Sequence, residues 1–130
     1  MNDCIFCKII SRESPAHVIA ENDDVIVFVS KSGHPLVVPK RHIKDIYELD
    51  DETGAAIAKQ LVRTAKAVKK GLGSDGVYLT QANEPAAGQD VFHLHFHLYP
   101  RWHAAAKNQA QRIGDDLRRL TMERVRAAYE

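Results

Sequence analysis

The segment Val91-Phe92-His93-Leu94-His95-Phe96-His97-Leu98 alternates apolar residues with histidines. Because successive side chains of a β-strand point to opposite faces, this pattern predicts a strand over Val91–Tyr99. Phe92, Leu94, Phe96 and Leu98 would face the core, and the three histidines would lie in a row on the other face. A solvated strand face normally carries Thr, Lys or Glu, so three imidazoles in one row indicate a functional site.

Two kinds of chemistry use such a row of histidines. Histidines spaced H-x-H can chelate a catalytic metal ion together with ligands from elsewhere in the chain. Alternatively, one neutral imidazole is a nucleophile while its neighbours donate hydrogen bonds to an anionic group. Asn83, Gly88 and Gln89 lie just upstream. They favour the second chemistry, because amide donors suit phosphate oxygens better than they suit a divalent metal ion.

The rest of the chain predicts one α+β domain over residues 1–130, without linkers or repeats. Apolar runs bounded by turns predict four further strands, at 17–21, 25–29, 35–39 and 77–82. Apolar residues at intervals of three or four predict a central helix from Asp50 to Leu72 and a C-terminal helix from about Gln109. These elements would give a mainly antiparallel five-stranded sheet with two helices.

Composition narrows the classes of function. Hydrophobic residues make up 45% of the chain, and 18 basic residues balance 17 acidic ones, for a formal charge of +1. This balance argues against a nucleic-acid binder, which would carry a basic excess. No apolar run is long enough to span a membrane, and the first residues lack a signal peptide, so we expect a cytoplasmic protein. The two cysteines, Cys4 and Cys7, are spaced as a metal half-site or a redox pair.

Taken together, these residues resemble the histidine-triad (HIT) family of nucleotide hydrolases and transferases. His93–Tyr99 resembles the family signature, and Cys4–Ile10 resembles the opening of its Hint-like bacterial branch. Gly33–His42 is similar to the family's G-H-x-L-V-φ-P-K-x-H segment, and the stretch from Asn83 to Gln89 is similar to its phosphate loop. The resemblance covers residues 4–102 in order and leaves residues 103–130 as a C-terminal helical extension.

The resemblance implies a HIT-like fold and a two-step reaction. His95, the middle histidine, would attack the α-phosphorus of a purine nucleotide such as a nucleoside phosphoramidate or a dinucleoside polyphosphate. Water would then release the nucleoside monophosphate from a nucleotidyl-histidine. His97 would donate to the phosphate, His34 would be a fourth active-site histidine, and Asn83 and Gln89 would bind phosphate oxygens.

The resemblance also implies a structural zinc ion, held by Cys4, Cys7, His42 and His93 as related bacterial proteins hold it. Family members pair as dimers, so a homodimer is expected. No organic cofactor is implied.

Two departures from the family pattern bear on substrate use. The loop at 29–32 is short, and Ser30 is the nearest candidate to replace the acidic or amide residue that contacts the ribose. Asp90 stands where many relatives have a hydroxyl residue, and its charge would oppose a phosphate. Two alternatives therefore stay open: a nucleotide-binding or interaction protein with little turnover, and a tri-histidine metallohydrolase.

Overall fold

A computed structural model describes residues 3–104 and 114–130 of the chain. In chain order the α-helices and strands are α1 (Ile5–Ile10), β1 (Val18–Glu21), β2 (Val25–Val29), β3 (Pro35–Pro39), α2 (Asp51–Leu72), β4 (Gly76–Thr80), β5 (Phe96–Arg101) and α3 (Asp115–Ala127). The five strands form one antiparallel sheet in the order β1-β2-β3-β5-β4. The α+β class and the five-stranded sheet are therefore confirmed.

The two faces of the sheet are covered by different helices, and β2 shows how. All five residues of β2 are buried. Val25, Val27 and Val29 belong to the core that α2 and α3 complete. Ile26 and Phe28 face the opposite way, into a smaller core that α1 completes. A strand buried on both faces is apolar throughout, which explains the uninterrupted run of sequence VIVFV.

The long helix α2 has clear start and stop signals. The Asp50 side chain accepts a hydrogen bond from the Thr53 backbone N–H, and Gly73 ends the helix in the left-handed conformation with φ +63°. Near its end, α2 packs tightly on α3. A Cβ atom on Gly71 would lie only 2.5 Å from the Arg124 carbonyl oxygen, so this contact requires glycine. No described helix is long and apolar enough to cross a membrane.

The histidine strand is shorter than its alternating pattern predicts. β5 begins at Phe96, and residues 91–95 are not part of the sheet. The Leu94 N–H instead donates to the Ile43 carbonyl at 2.7 Å. Leu94 and Leu98 are fully buried, but Phe92 is 46% exposed. The prediction that Phe92 faces the core is therefore wrong.

Two smaller features also differ from what the sequence predicts. Helix α1 was not predicted, because six residues are too few to show helical periodicity. Pro100 does not end β5, which continues to Arg101. The proline is tolerated there because β5 pairs with β3 only at Phe96 and His97 and has one neighbour beyond them. The predicted start of the last helix at Gln109 lies outside the described residues.

Candidate active site and metal cluster

His95 is held with one ring nitrogen bonded and the other open. Its Nδ1 lies 2.8 Å from the backbone carbonyl oxygen of His93. Because a carbonyl oxygen only accepts, Nδ1 carries the proton of the neutral ring, and Nε2 keeps a free lone pair. This is the tautomer that a histidine nucleophile needs. The ring is 5% exposed.

Besides His97, the side chains of Phe6 and Asp90 border the His95 ring. Phe6 of α1 meets it edge to face, with ring centroids 5.1 Å apart. Phe6 meets the His93 ring in the same manner at 5.9 Å. The Asp90 carboxylate Oδ1 lies 3.7 Å from Nε2 of His95, and this side chain is 81% exposed. Helix α1 therefore fixes the orientation of the ring, and Asp90 places a solvated charge beside the free nitrogen.

His97 and His34 are joined by a direct hydrogen bond. Nδ1 of His97 lies 2.8 Å from Nε2 of His34. The His97 and His95 ring centroids are 4.9 Å apart. This is closer than the spacing of roughly 6.6–6.8 Å for alternate residues of a regular strand. Burial lowers the pKa of His34 to about 3, and the neighbouring His97 adds to the shift. Burial also lowers the pKa of His97, with His95 as a second cause.

A stack of aromatic rings supports this pair. Tyr99 lies two residues after His97 on the same face of β5, and its ring is stacked on that of His97. It also packs against the His34 ring, with centroids 4.0 Å apart. Tyr78 of the neighbouring strand stacks on Tyr99, and the Arg101 guanidinium lies over both tyrosine rings. The two-residue period of β5 was the signal that could have identified Tyr99 and Arg101.

Ser30 lies at the other side of His34. Its Oγ is 3.1 Å from His34 Nδ1 and also accepts the His34 backbone N–H at 3.3 Å. Two backbone hydrogen bonds close the loop between them, from the Ser30 N–H to the His34 carbonyl and from the Gly33 N–H to the Ser30 carbonyl. Gly33 adopts φ +93° within this loop. The short loop thus brings Ser30 onto a catalytic histidine candidate.

The predicted phosphate ligands Asn83 and Gln89 are engaged inside the protein. Gln89 Nε2 donates to the carbonyl oxygens of Lys44 and Val91, and its Oε1 accepts the Glu84 N–H. Both amide hydrogens of Gln89 are thereby used. The Asn83 side chain exchanges hydrogen bonds with Gln81 and accepts the Ile46 N–H. In this arrangement the two amides shape the loop that leads to the histidines.

Cys4, Cys7, His42 and His93 come together in a second cluster. Their ligand atoms all lie within 4.8 Å of one another, so the four residues could hold a metal ion. The three contacts between sulfur and ring nitrogen are Cys4–His93 at 3.4 Å, Cys7–His42 at 3.3 Å and Cys7–His93 at 3.6 Å. His93 is fully buried, and its other nitrogen, Nε2, lies 2.7 Å from the Pro39 carbonyl oxygen. Burial lowers the pKa of His93 to about 4, which keeps the ring neutral, as metal binding requires.

The three triad histidines therefore do not share one site. His93 turns toward the cysteines, whereas His95 and His97 lie with His34. Within residues 3–104 and 114–130, the only cluster of three or more potential metal-ligating residues is the Cys4–Cys7–His42–His93 group.

Comparison with known protein families agrees with the resemblance to the HIT family that the sequence motifs show. The HIT domain model matches residues 11–104. The chain belongs to the HIT family. A HIT-like protein of Methanocaldococcus jannaschii is 42% identical, over 76% of this chain and 79% of its own length. The adenosine 5′-monophosphoramidase of Schizosaccharomyces pombe is 36% identical, over 75% of this chain and 74% of its own length.

Among solved structures, a zinc-bound histidine triad family protein of Mycobacterium smegmatis superimposes with a TM-score of 0.87. It is 34% identical, and the alignment covers 98% of this chain and 93% of that one. The HIT-like fold that the histidine segment implied is thereby confirmed.

Proposed function

We propose that this HIT protein transfers a nucleotidyl group from a nucleoside phosphoramidate or a dinucleoside polyphosphate to His95 and then to water. The observation that carries the proposal is the 2.8 Å contact between His95 Nδ1 and the His93 carbonyl oxygen, which leaves Nε2 free to attack. Similarity to a monophosphoramidase of fission yeast supports this class of substrate.

In the first step, the Nε2 lone pair of His95 forms a bond to the α-phosphorus. The bond from phosphorus to the leaving nitrogen or oxygen breaks, its electron pair departs with the leaving group, and a leaving nitrogen takes up a proton from solvent. His97 donates a hydrogen bond to the phosphoryl oxygens, whose charge is concentrated as the transition state forms. In the second step, water attacks the phosphorus and gives up a proton to solvent. The bond from phosphorus to Nε2 breaks, its electron pair returns to His95, and the nucleoside monophosphate leaves.

The loop from Asn83 to Gln89 leads the chain to the histidines and is our proposed phosphate-binding segment. Its two side-chain amides hold the loop in shape, so a direct contact with phosphate would require them to exchange internal bonds. Ser30 is the residue of the short loop nearest to His34, and a ribose contact from it would compete with its bond to that ring.

Chemical quenching tests the proposal. Protein mixed with adenosine 5′-phosphoramidate and quenched within one turnover should carry an acid-labile adenylyl group, which peptide mapping places on His95. His95→Ala should lose adduct and turnover while still binding nucleotide, and His103→Ala, at an exposed histidine, should behave as wild type. An adduct on another residue would refute the proposal.

The same experiment separates the two alternatives. A binding protein without turnover would bind adenosine nucleotides and form no adduct. A tri-histidine metallohydrolase would hydrolyse substrate without an adduct and lose activity to chelators. The structure disfavours the second alternative, because both ring nitrogens of His93 are directed away from His95 and His97, to cysteine sulfur and to the Pro39 carbonyl.

We further propose that Cys4, Cys7, His42 and His93 bind a structural zinc ion, as in the Hint-like bacterial branch. Zinc bonds of about 2.3 Å to sulfur and 2.0–2.1 Å to nitrogen, in tetrahedral geometry, separate the ligand atoms by roughly 3.5 Å. The observed contacts of 3.3–3.6 Å fit this value. The ion would tie α1 to the segment before β5. Cysteines that are not joined in a disulfide suit a reducing compartment, which supports our proposal of a cytoplasmic location.

A homodimer is the final part of the proposal. β4 is an edge strand of the sheet, and its residues Tyr78 and Leu79 are 52% and 49% exposed. An edge strand with exposed apolar side chains is suited to pair with another chain. Light scattering should give twice the monomer mass of 14.6 kDa. Leu79→Lys should shift the equilibrium toward monomer, and Leu117→Lys, at an exposed leucine of α3, should not.

A further inference from the structure

The hydrogen bonds around His34 form a continuous chain with a definable direction. They join Ser30 Oγ to His34 Nδ1 at 3.1 Å, and His34 Nε2 to His97 Nδ1 at 2.8 Å. A neutral imidazole has one donor nitrogen and one acceptor nitrogen. Fixing the proton on one ring therefore fixes it on the next.

The serine hydroxyl sets this direction. Ser30 Oγ already accepts the backbone N–H of His34, and His34 Nδ1 is the acceptor within reach of its own hydrogen. If Nδ1 instead donated to Oγ, the hydroxyl would accept twice, and its hydrogen would have no acceptor among the described residues. This arrangement favours Nδ1 of His34 as the acceptor, which places the His34 proton on Nε2.

The tautomer of His34 determines which nitrogen of His97 carries a proton. Because His34 Nε2–H donates to His97 Nδ1, neutral His97 carries its own proton on Nε2. The Tyr99 hydroxyl, 3.5 Å from the same Nδ1, is a second weak donor to it. No described residue bonds to His97 Nε2, so this N–H is available to a substrate.

We propose that Ser30 is a positioning residue that sets the tautomer of His34 and, through it, presents His97 as a hydrogen-bond donor to the phosphoryl group. The inference rests on the proposed function for the identity of the acceptor. It assigns Ser30 a role that differs from ribose binding, and the short loop makes this role possible by placing the serine four residues before His34. His34 is 6% exposed, and its ring packs against that of Tyr99. Any other orientation of the ring would break its hydrogen bonds to Ser30 and His97.

Imidazole ¹⁵N NMR of the full-length protein reads the tautomers directly. Wild type should show a protonated Nε2 and an unprotonated Nδ1 on both His34 and His97. Ser30→Ala should convert these signals to a tautomer mixture, and Ser30→Thr, which keeps the hydroxyl, should restore them. Ser32→Ala, in the same loop at an exposed serine, is the matched control and should leave the signals unchanged.

Kinetics with adenosine 5′-phosphoramidate should follow the same order. Ser30→Ala removes the hydrogen bond that favours this tautomer of His34. We therefore expect kcat to fall about five- to tenfold in Ser30→Ala, with KM nearly unchanged, and to recover in Ser30→Thr. A protonated Nδ1 on His34 in wild type would overturn the inference, as would a Ser30→Ala variant with unaltered tautomers and a raised KM. Absence of an adduct in wild type would refute the proposed function instead, and the NMR result would still decide the tautomer chain.

Discussion

The Cys4–Cys7–His42–His93 cluster and the proposed catalytic group of His34, His95 and His97 use histidine in opposite ways, although both draw on the same short segment. In the cluster, Nδ1 of His93 converges with two sulfurs and its Nε2 is held by the Pro39 carbonyl, so no nitrogen is left open. In the catalytic group, His95 and His97 each have one bonded nitrogen and one open nitrogen. The partner of the second nitrogen, more than the motif itself, decides whether a histidine is a ligand or a reagent.

One residue belongs to both regions. The ring of His93 lies in the cluster, while its backbone carbonyl fixes the tautomer of His95. Phe6, between the two cysteines, contacts both rings. The two regions are thus mechanically linked, and variants of one can show how far the other depends on it.

Removing a ligand from the cluster should have the largest effect on stability. Cys4→Ser is expected to bind well under one zinc per chain and to lose about 3 kcal/mol of folding free energy, roughly 10 °C in Tm. Elemental analysis and calorimetry measure the two changes. A chelator should lower the Tm of wild type and leave that of Cys4→Ser almost unmoved. Wild type that is free of metal and equally stable would exclude a structural zinc ion.

Removing the donor from the catalytic group should reduce the rate more than it reduces stability. His97→Ala is expected to lower kcat with adenosine 5′-phosphoramidate by about 100-fold, because a preorganised donor to the phosphoryl oxygens is lost. The adduct on His95 should still form. Rapid-quench kinetics measures both quantities, with His103→Ala as the control. An unchanged kcat would show that His97 does not contact the transferred group.

Sequence reasoning identified which residues meet more readily than it identified how they are bonded. The alternation of residues 91–98 located the histidines, but it could not show that the chain leaves the sheet before Phe96. That departure depends on distant partners, such as the Ile43 carbonyl that accepts the Leu94 N–H. The internal bonds of Gln89 also depend on a distant residue, Lys44, and have no local signature. Helix α1, with three isoleucines in six residues, is set by its packing on the sheet.

The buried His34 should make the catalytic group sensitive to acid. Its pKa is about 3 in the folded protein and 6.5 ordinarily, so between these values the unfolded chain binds more protons than the folded one. Stability is therefore lost as the pH falls from about 6.5 toward 3. In urea titrations between about pH 4.5 and 6, wild type should lose up to about 1.4 kcal/mol per pH unit more than His34→Gln. Proton-driven metal release affects both proteins, so the difference between their slopes isolates His34. Equal slopes would contradict the assignment.

The smallest expected effect concerns Asp90, an acidic side chain that lies beside the open nitrogen of His95. Its Oδ1 is 3.7 Å from Nε2, so an incoming phosphate must approach a negative charge. Two unit charges about 4 Å apart in water repel by about 1 kcal/mol, and the exposure of this side chain favours that solvated value over a larger one. Asp90→Ser should therefore lower KM for adenosine 5′-phosphoramidate about three- to fivefold at low salt, and added salt should reduce the difference as it screens the charge. Asp116→Ser, at an exposed acid of α3, is the matched control. A fall in kcat without a change in KM would instead give Asp90 a positive role, as a group that orients the His95 ring during attack.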